Sequence, residues 1–249
     1  MNNTLNIILG IFIPFIGTIL GSSMVFLLKN NIKDNINKLL LGLASGLMIA
    51  ASIWSLIMPS IETGGIIIAA LGFADGIILM MFIDHIIKFY KLEDNKKNSM
   101  LMLAVIIHNI PEGMATGVAL VGLFNGSNAI TLAGVFSLAI GIAIQNIPEG
   151  TIISMSLKGL GRSKSKAFSY GLFSGIVEPV AGIITIFLVN LVGPMLPFLL
   201  ALAAGCMIYV VINELLPTSQ TGKDKNYGTL GVMIGFTIMM ILDVVLGKK

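Results

Sequence analysis

Residues 100–124 read MLMLAVIIHNIPEGMATGVALVGLF, and residues 129–157 read AITLAGVFSLAIGIAIQNIPEGTIISMSL. Each stretch is long and apolar enough to cross the hydrocarbon core of a bilayer as a helix, which takes about 20 residues. Each also carries Asn-Ile-Pro-Glu-Gly near its middle, as Asn109 to Gly113 in one and Asn146 to Gly150 in the other. Only residues 125–128 separate the two stretches, so the helices are antiparallel and bring one motif to the same depth twice. That makes a pseudo-two-fold pair about an axis in the membrane plane, and inverted repeats with binding at the midplane mark transporters.

The spacing inside the motif carries chemistry. His108 and Glu112 are one helical turn apart, as are Gln145 and Glu149, so each pair shares a helix face. Asn109 and Asn146 precede their Glu by three residues, on the neighbouring edge of that face. Pro111 and Pro148 each remove an N–H and crowd the carbonyl four residues back, at Ile107 and Ile144, so each helix should kink and bare an oxygen. In hydrocarbon such backbone is tolerated only beside protein or a water-filled cavity. Imidazole, two carboxylates and several amides around a kink form a mixed nitrogen and oxygen site, suited to Zn(II), Fe(II) or Mn(II). The bland alternative is a proline kink whose Glu is protonated and bonded to a neighbour. Two copies on paired helices, one with His108 a turn before Glu112, weigh against it.

Working outward, six further apolar stretches can be marked off, giving spans at 5–28, 39–58, 65–89, 100–124, 129–157, 167–190, 194–216 and 228–246 of a single transmembrane domain over 1–249. The composition agrees: 56% of residues are hydrophobic, only 11% are charged, and the mean hydropathy is +0.97. Soluble domains carry about a quarter charged residues, so a soluble enzyme is excluded. The net charge of +3 is too small to suggest nucleic-acid binding. One Cys rules out a disulfide framework and a Cys-based zinc site.

Thirteen of the 15 cations fall in alternate connections: Lys29, Lys33 and Lys38; Lys88, Lys91, Lys96 and Lys97; Lys158, Arg162, Lys164 and Lys166; Lys223 and Lys225. Lys248 and Lys249 end the chain. Cationic loops stay on the cytoplasmic side, so both termini lie outside. Seven acids, Asp75, Asp84, Glu112, Glu149, Glu178, Glu214 and Asp243, fall within or near the ends of apolar stretches. A carboxylate at the bilayer centre costs at least about 2.5 kcal/mol, so these acids need a cation from outside the sequence, or a proton.

Glu178, in Ser174-Gly-Ile-Val-Glu-Pro179, repeats the carboxylate-plus-proline theme and is the natural third carboxylate, with a protonated packing residue as its alternative. Met48 offers a thioether, although methionine is far more often core filler. For Asp84, His85 and Glu214, near helix ends, a passage site and a solvated cap are equally open. Gly42 with Gly46, and Gly171 with Gly175, at four-residue spacing allow close helix packing. Ala-Ser-Gly-Leu-Met-Ile from Ala44 echoes Ala-Ala-Gly-Cys-Met-Ile from Ala203, which suggests inverted triplets, spans 1 to 3 and 6 to 8, around the central pair. No His-Glu-x-x-His, nucleophile elbow or nucleotide-binding loop occurs.

These motifs together resemble the ZIP (Zrt/Irt-like) family of divalent metal transporters, most closely its small bacterial members. The resemblance covers the whole chain. It implies an all-α polytopic fold in a 3+2+3 arrangement, residence in the inner or plasma membrane, import of Zn(II), and of Fe(II), Mn(II) or Cd(II), into the cytoplasm, and often a homodimer. The metal is cargo rather than catalyst, and no enzyme activity is expected. It also implies a binuclear midplane site. Its first metal would use His108, Glu112, Gln145 and Glu149, with Met48 as an extra ligand; its second would use Asn109, Glu112, Asn146, Glu149 and Glu178. Gln145 stands where many members have His, and the His-rich cytoplasmic loop of many eukaryotic members is absent. A passive channel with the same ligands, and a membrane scaffold whose buried acids stay protonated, are the rival readings.

Overall fold

The computed structural model describes residues 3–28, 33–89, 97–191, 193–222 and 224–246; the side chains of residues 3, 87–108, 189–193 and 246 lie outside the described ones. The His108 side chain is among those, as are Lys29, Lys88, Lys91, Lys96, Lys97, Lys223, Lys248 and Lys249 of the charge pattern. The described residues form helices and connections with no strand: α1 (Asn3–Leu27), α2 (Asp34–Ala51), α3 (Met58–Phe89), α4 (Lys97–Phe124), α5 (Leu132–Gly159), α6 (Lys164–Gly175), α7 (Val177–Leu191), α8 (Leu196–Val210), α9 (Leu216–Ser219) and α10 (Lys225–Leu246).

Among the described residues six stretches are long and apolar enough to cross a membrane, one of them the 53 residues Asp34–Ile86. Held straight, that stretch would reach about 80 Å at 1.5 Å per residue. It turns instead at Gly65, whose φ of 80° and ψ of 165° leave helical space. The faces it and α1 present outward are apolar, as in Leu5, Phe12, Ile16 and Leu20 or Ile67, Leu71, Ile78 and Phe82. Lipid rather than water suits such faces, and the chain is a multi-pass membrane protein.

Two segments of wider helix interrupt the rods. Ser52–Ile57 joins α2 to α3, and Val211–Leu215 joins α8 to α9, both as π-helix. The cause lies just beyond them: Pro59 and Pro217 cannot donate to a carbonyl and their rings crowd the preceding turn. The backbone N–H of Met58 therefore bonds to Ile53 and that of Leu216 to Val211, each reaching back five residues.

Helices pair through glycine. α1 runs along α5, with Gly17 and Gly21 against the backbone at Ala143 and Ile147; α4 runs along α7, with Gly113 against the Glu178 carbonyl. Gly42 and Gly46 of α2 lie on α10, while Gly171 and Gly175 of α6 lie on Ser22 and Thr18 of α1, so both spacings serve close packing as the sequence suggests.

The same contacts recur in register. Gly72 and Gly76 of α3 abut the carbonyls of Phe198 and Leu202, while Gly231 and Gly235 of α10 abut those of Leu39 and Leu43. Each glycine and each carbonyl partner is displaced by 159 residues, Gly72 to Gly231 and Leu39 to Phe198 alike. Gly46 on Val232 and Gly205 on Phe73 keep that displacement, and so do Ser52 and Val211 at the start of the two π segments. A core of Leu47, Leu56, Leu120, Leu138, Leu200 and Met207 fills the space between the pairs.

Candidate metal centre

α4 and α5 run on as helix through Pro111 and Pro148. The interruption falls instead at Ile176, between α6 and α7, directly before Glu178. Each Asn of the repeated motif bonds into a neighbouring helix. Asn109 Nδ2 donates to the Ser174 carbonyl at 2.8 Å, beside that interruption, and Asn146 Nδ2 lies 3.3 Å from the Pro14 carbonyl in α1. The Asn109 amide thus meets a carbonyl beside the interruption, while the Asn146 amide reaches one inside the continuous helix α1.

Four residues expected at the site converge. Gln145 Nε2 donates to Glu112 Oε1, and Asn146 Nδ2 donates to Glu178 Oε2 at 2.8 Å. Glu112, Glu149 and Glu178 are close enough to act on one another electrostatically. Glu112 and Glu178 are 1% exposed, Gln145 0%, and Asn109 and Asn146 2% and 1%. Glu149 is half-buried. Met48 is 1% exposed but sits in the apolar core, with only its backbone carbonyl in a polar contact, from Ser52 Oγ. Among the described residues no three of His, Cys, Asp and Glu stand arranged around a common point; amides make up much of this donor set.

The oxygens left over decide what the arrangement can hold. Glu112 Oε2, Gln145 Oε1, Asn109 Oδ1 and Asn146 Oδ1 are all buried and accept no hydrogen bond. A buried polar atom without a partner costs about 1–3 kcal/mol, and all four are acceptors. Another donor could fill one of them; a cation satisfies several together.

Two groups escaped the sequence reading. Thr18 of α1 donates to Glu178 Oε1 at 3.0 Å, so both oxygens of that carboxylate are held. Nothing in the local sequence marks Thr18; its place follows from the packing of α1 on α6 and α7. Asp243, counted among the buried acids without a role, accepts from Ser55 and Ser137 at 2.8 Å each, while its Oδ2 has no partner. It lines a cavity of about 240 Å³ with Ser55, Glu62, Trp54 and Leu138. The signal was available: Ser137, Gln145 and Glu149 lie at multiples of four residues along α5. Of the residues left open, Asp84 accepts from Tyr209 at 3.2 Å, and His85 and Glu214 also have partners.

Asn146→Leu is expected to destabilise the chain by about 1–3 kcal/mol, since it strips a donor from the buried Glu178 carboxylate and from the Pro14 carbonyl. Asn109→Leu, which frees only the Ser174 carbonyl, should cost less. Thermal unfolding of the purified variants in detergent checks the order.

Residues 98–243 match the family model described as ZIP Zinc transporter. The human "Zinc transporter ZIP11" is 44% identical over 152 residues, 61% of this chain and 44% of that protein, so the chain spans under half the length of that relative. "Zinc transporter ZIPB" of Bordetella bronchiseptica is 34% identical over 258 residues, covering 96% of this chain and 81% of its own. "Zinc transporter ZupT" of Streptococcus mutans is 31% identical over 252 residues, covering 91% and 92%. With helices suited to a membrane, a doubled Asn-Ile-Pro-Glu-Gly that gathers buried acids and amides, and these relatives, the chain belongs to the ZIP zinc transporter family, whose members are transporters rather than enzymes.

Proposed function

We propose that this chain carries Zn(II), and also Fe(II), Mn(II) and Cd(II), across the inner or plasma membrane into the cytoplasm. The observation that carries the proposal is that Glu112 Oε2, Gln145 Oε1, Asn109 Oδ1 and Asn146 Oδ1 are buried and accept no hydrogen bond, while Glu112, Glu149 and Glu178 act on one another electrostatically. In this reading eight spans cross the bilayer with both termini outside, in a 3+2+3 arrangement. The repetition of helix contacts at a displacement of 159 residues supports inverted triplets of spans around α4 and α5.

The metal sheds water at the cavity beside Asp243 and passes to the midplane. There His108, Glu112, Gln145 and Glu149, with Met48 as an added thioether, take the first ion. Asn109, Asn146 and Glu178, with Glu112 and Glu149 shared, take the second. Gln145 and Asn146 hold Glu112 and Glu178 through their N–H groups. A half-turn of each amide presents its carbonyl oxygen to an arriving ion instead. Each amide can therefore donate to a carboxylate or offer an oxygen to the ion.

A passive channel would need the same ligands. Burial of Glu112, Gln145, Asn146 and Glu178 to 1% exposure or less leaves no open pore through them, which favours alternating access. In this reading the chain also pairs as a homodimer. Uptake of zinc, iron, manganese and cadmium into reconstituted vesicles tests the reading. Saturable uptake with counterflow is expected; unsaturable flux contradicts a carrier. Gln145→His should shift metal preference and affinity, because it replaces an amide by a stronger nitrogen donor. Asp243→Asn should raise the half-saturating zinc concentration several-fold while leaving the limiting rate nearly unchanged, since Asp243 meets the ion before the midplane does.

A further inference from the structure

Met239 lies along the contact of α10 with α5, between the level of Asp243 and that of Gln145. Met239 and Asp243 are a turn apart on one face of α10, and Ser137, Gly141 and Gln145 step by four along one face of α5. The bond from Ser137 to Asp243 at 2.8 Å fixes how the two faces meet. One turn further along, the sulfur and methyl of Met239 fill the space where Gly141 has no side chain, and a Cβ at 141 would collide with them. The next turn of α5 brings Gln145, which holds Glu112. Met239 is 0% exposed, and the cavity at Asp243 reaches along α5 as far as Leu138.

We infer that Met239, lodged against Gly141, is the outer gate of the metal route: it closes the passage between Asp243 and the Gln145–Glu112 pair and opens it by swinging its side chain aside. The inference rests on the transport reading above. Methionine suits the task, being unbranched with three rotatable bonds and a soft sulfur that meets a passing Zn(II) or Cd(II) without trapping it as a thiolate would. The displacement of 159 residues carries Met239 and Asp243 onto Met80 and Asp84 of α3, and Met80 is 4% exposed. Each half of the molecule thus bears a buried methionine one turn before a carboxylate.

The test uses the full chain in intact cells, with Cys206→Ser removing the native thiol and Gln145→Cys as the reporter. A membrane-impermeant thiosulfonate added outside should label this cysteine slowly. Met239→Ala should speed labelling at least tenfold, and Met239→Leu, which keeps the bulk, should leave it slow. Equal rates in all three proteins, or Leu as fast as Ala, overturn the gate. Should Met239→Ala fail to fold, Met239→Cys with native Gln145 replaces it: modification from outside is expected to block zinc uptake, and a thiol that never reacts overturns the gate. Zinc in the medium should slow labelling of Gln145→Cys. Absence of that protection would count against the midplane metal site, whereas the Ala and Leu comparison decides the gate, so the two readings fail separately.

Discussion

Glu112→Ala is expected to lower saturable zinc uptake at least 100-fold while leaving the protein folded. Glu112 occupies the middle of the polar set: Gln145 donates to one of its oxygens, the other is buried without a partner, and Glu149 and Glu178 press on it electrostatically. Removing the carboxylate removes a ligand shared by both proposed ions, and a hundredfold loss corresponds to about 2.8 kcal/mol of transition-state stabilisation. For the fold, two effects oppose. The Gln145 N–H loses its buried acceptor, which costs about 1–3 kcal/mol; repulsion of Glu112 by Glu149 and Glu178 is removed, which returns part of that. The unfolding temperature should therefore change little. Uptake in vesicles and thermal unfolding in detergent check the two halves together. A scaffold with protonated acids would show the reverse, unchanged transport in the variant.

Gly113→Val should be the most damaging single change to the fold around the site. A Cβ at 113 would run into the Glu178 carbonyl and come within 2.9 Å of Ala181 Cβ. The first obstacle is backbone of a packed helix and cannot rotate away, so α4 must leave α7. Overpacking alone costs about 1–3 kcal/mol. Separating these helices also takes Asn109 from the Ser174 carbonyl and shifts Glu178 against Asn146 and Thr18. Loss of folded protein and of uptake is expected. Gly134→Ala is the matched control, because its Cβ would meet only Thr131 Oγ1, at 3.3 Å, and its stability should stay within about 1 kcal/mol of the parent. Equal damage from both substitutions would remove the packing explanation.

Much of the arrangement was legible in the chain, for particular reasons. Apolar stretches of bilayer length fix the helical class because hydrocarbon leaves backbone polar groups no other partner. The doubled Asn-Ile-Pro-Glu-Gly and its flanking residues pointed to Glu112, Gln145 and Asn146, since residues at helical spacing share a face whatever the tertiary packing, and the separate Glu178-Pro179 pair pointed to Glu178. The echo between Ala44 and Ala203 marks two helices that share a π-helical widening before a proline. What could not be read depends on which helices touch. Proline spacing located the carbonyl surplus in α4 and α5, whereas the break in helix structure sits before Glu178, where the chain passes from α6 to α7. Thr18 reaches Glu178 across 160 residues of sequence, and Ser55 reaches Asp243 across 188. Such pairs follow from glycine-lined helix contacts and carry no local signature.

The central claim is that the buried acids and amides between α4, α5 and α7 hold the transported metal. Equilibrium zinc binding to the purified protein in detergent tests it most directly, comparing the parent with the double variant Glu112→Gln, Glu178→Gln, which keeps side-chain size and hydrogen-bonding capacity. The expected result is saturable high-affinity binding in the parent and its loss in the double variant, with both proteins folded. Equal zinc bound at equal affinity in the two proteins would contradict it.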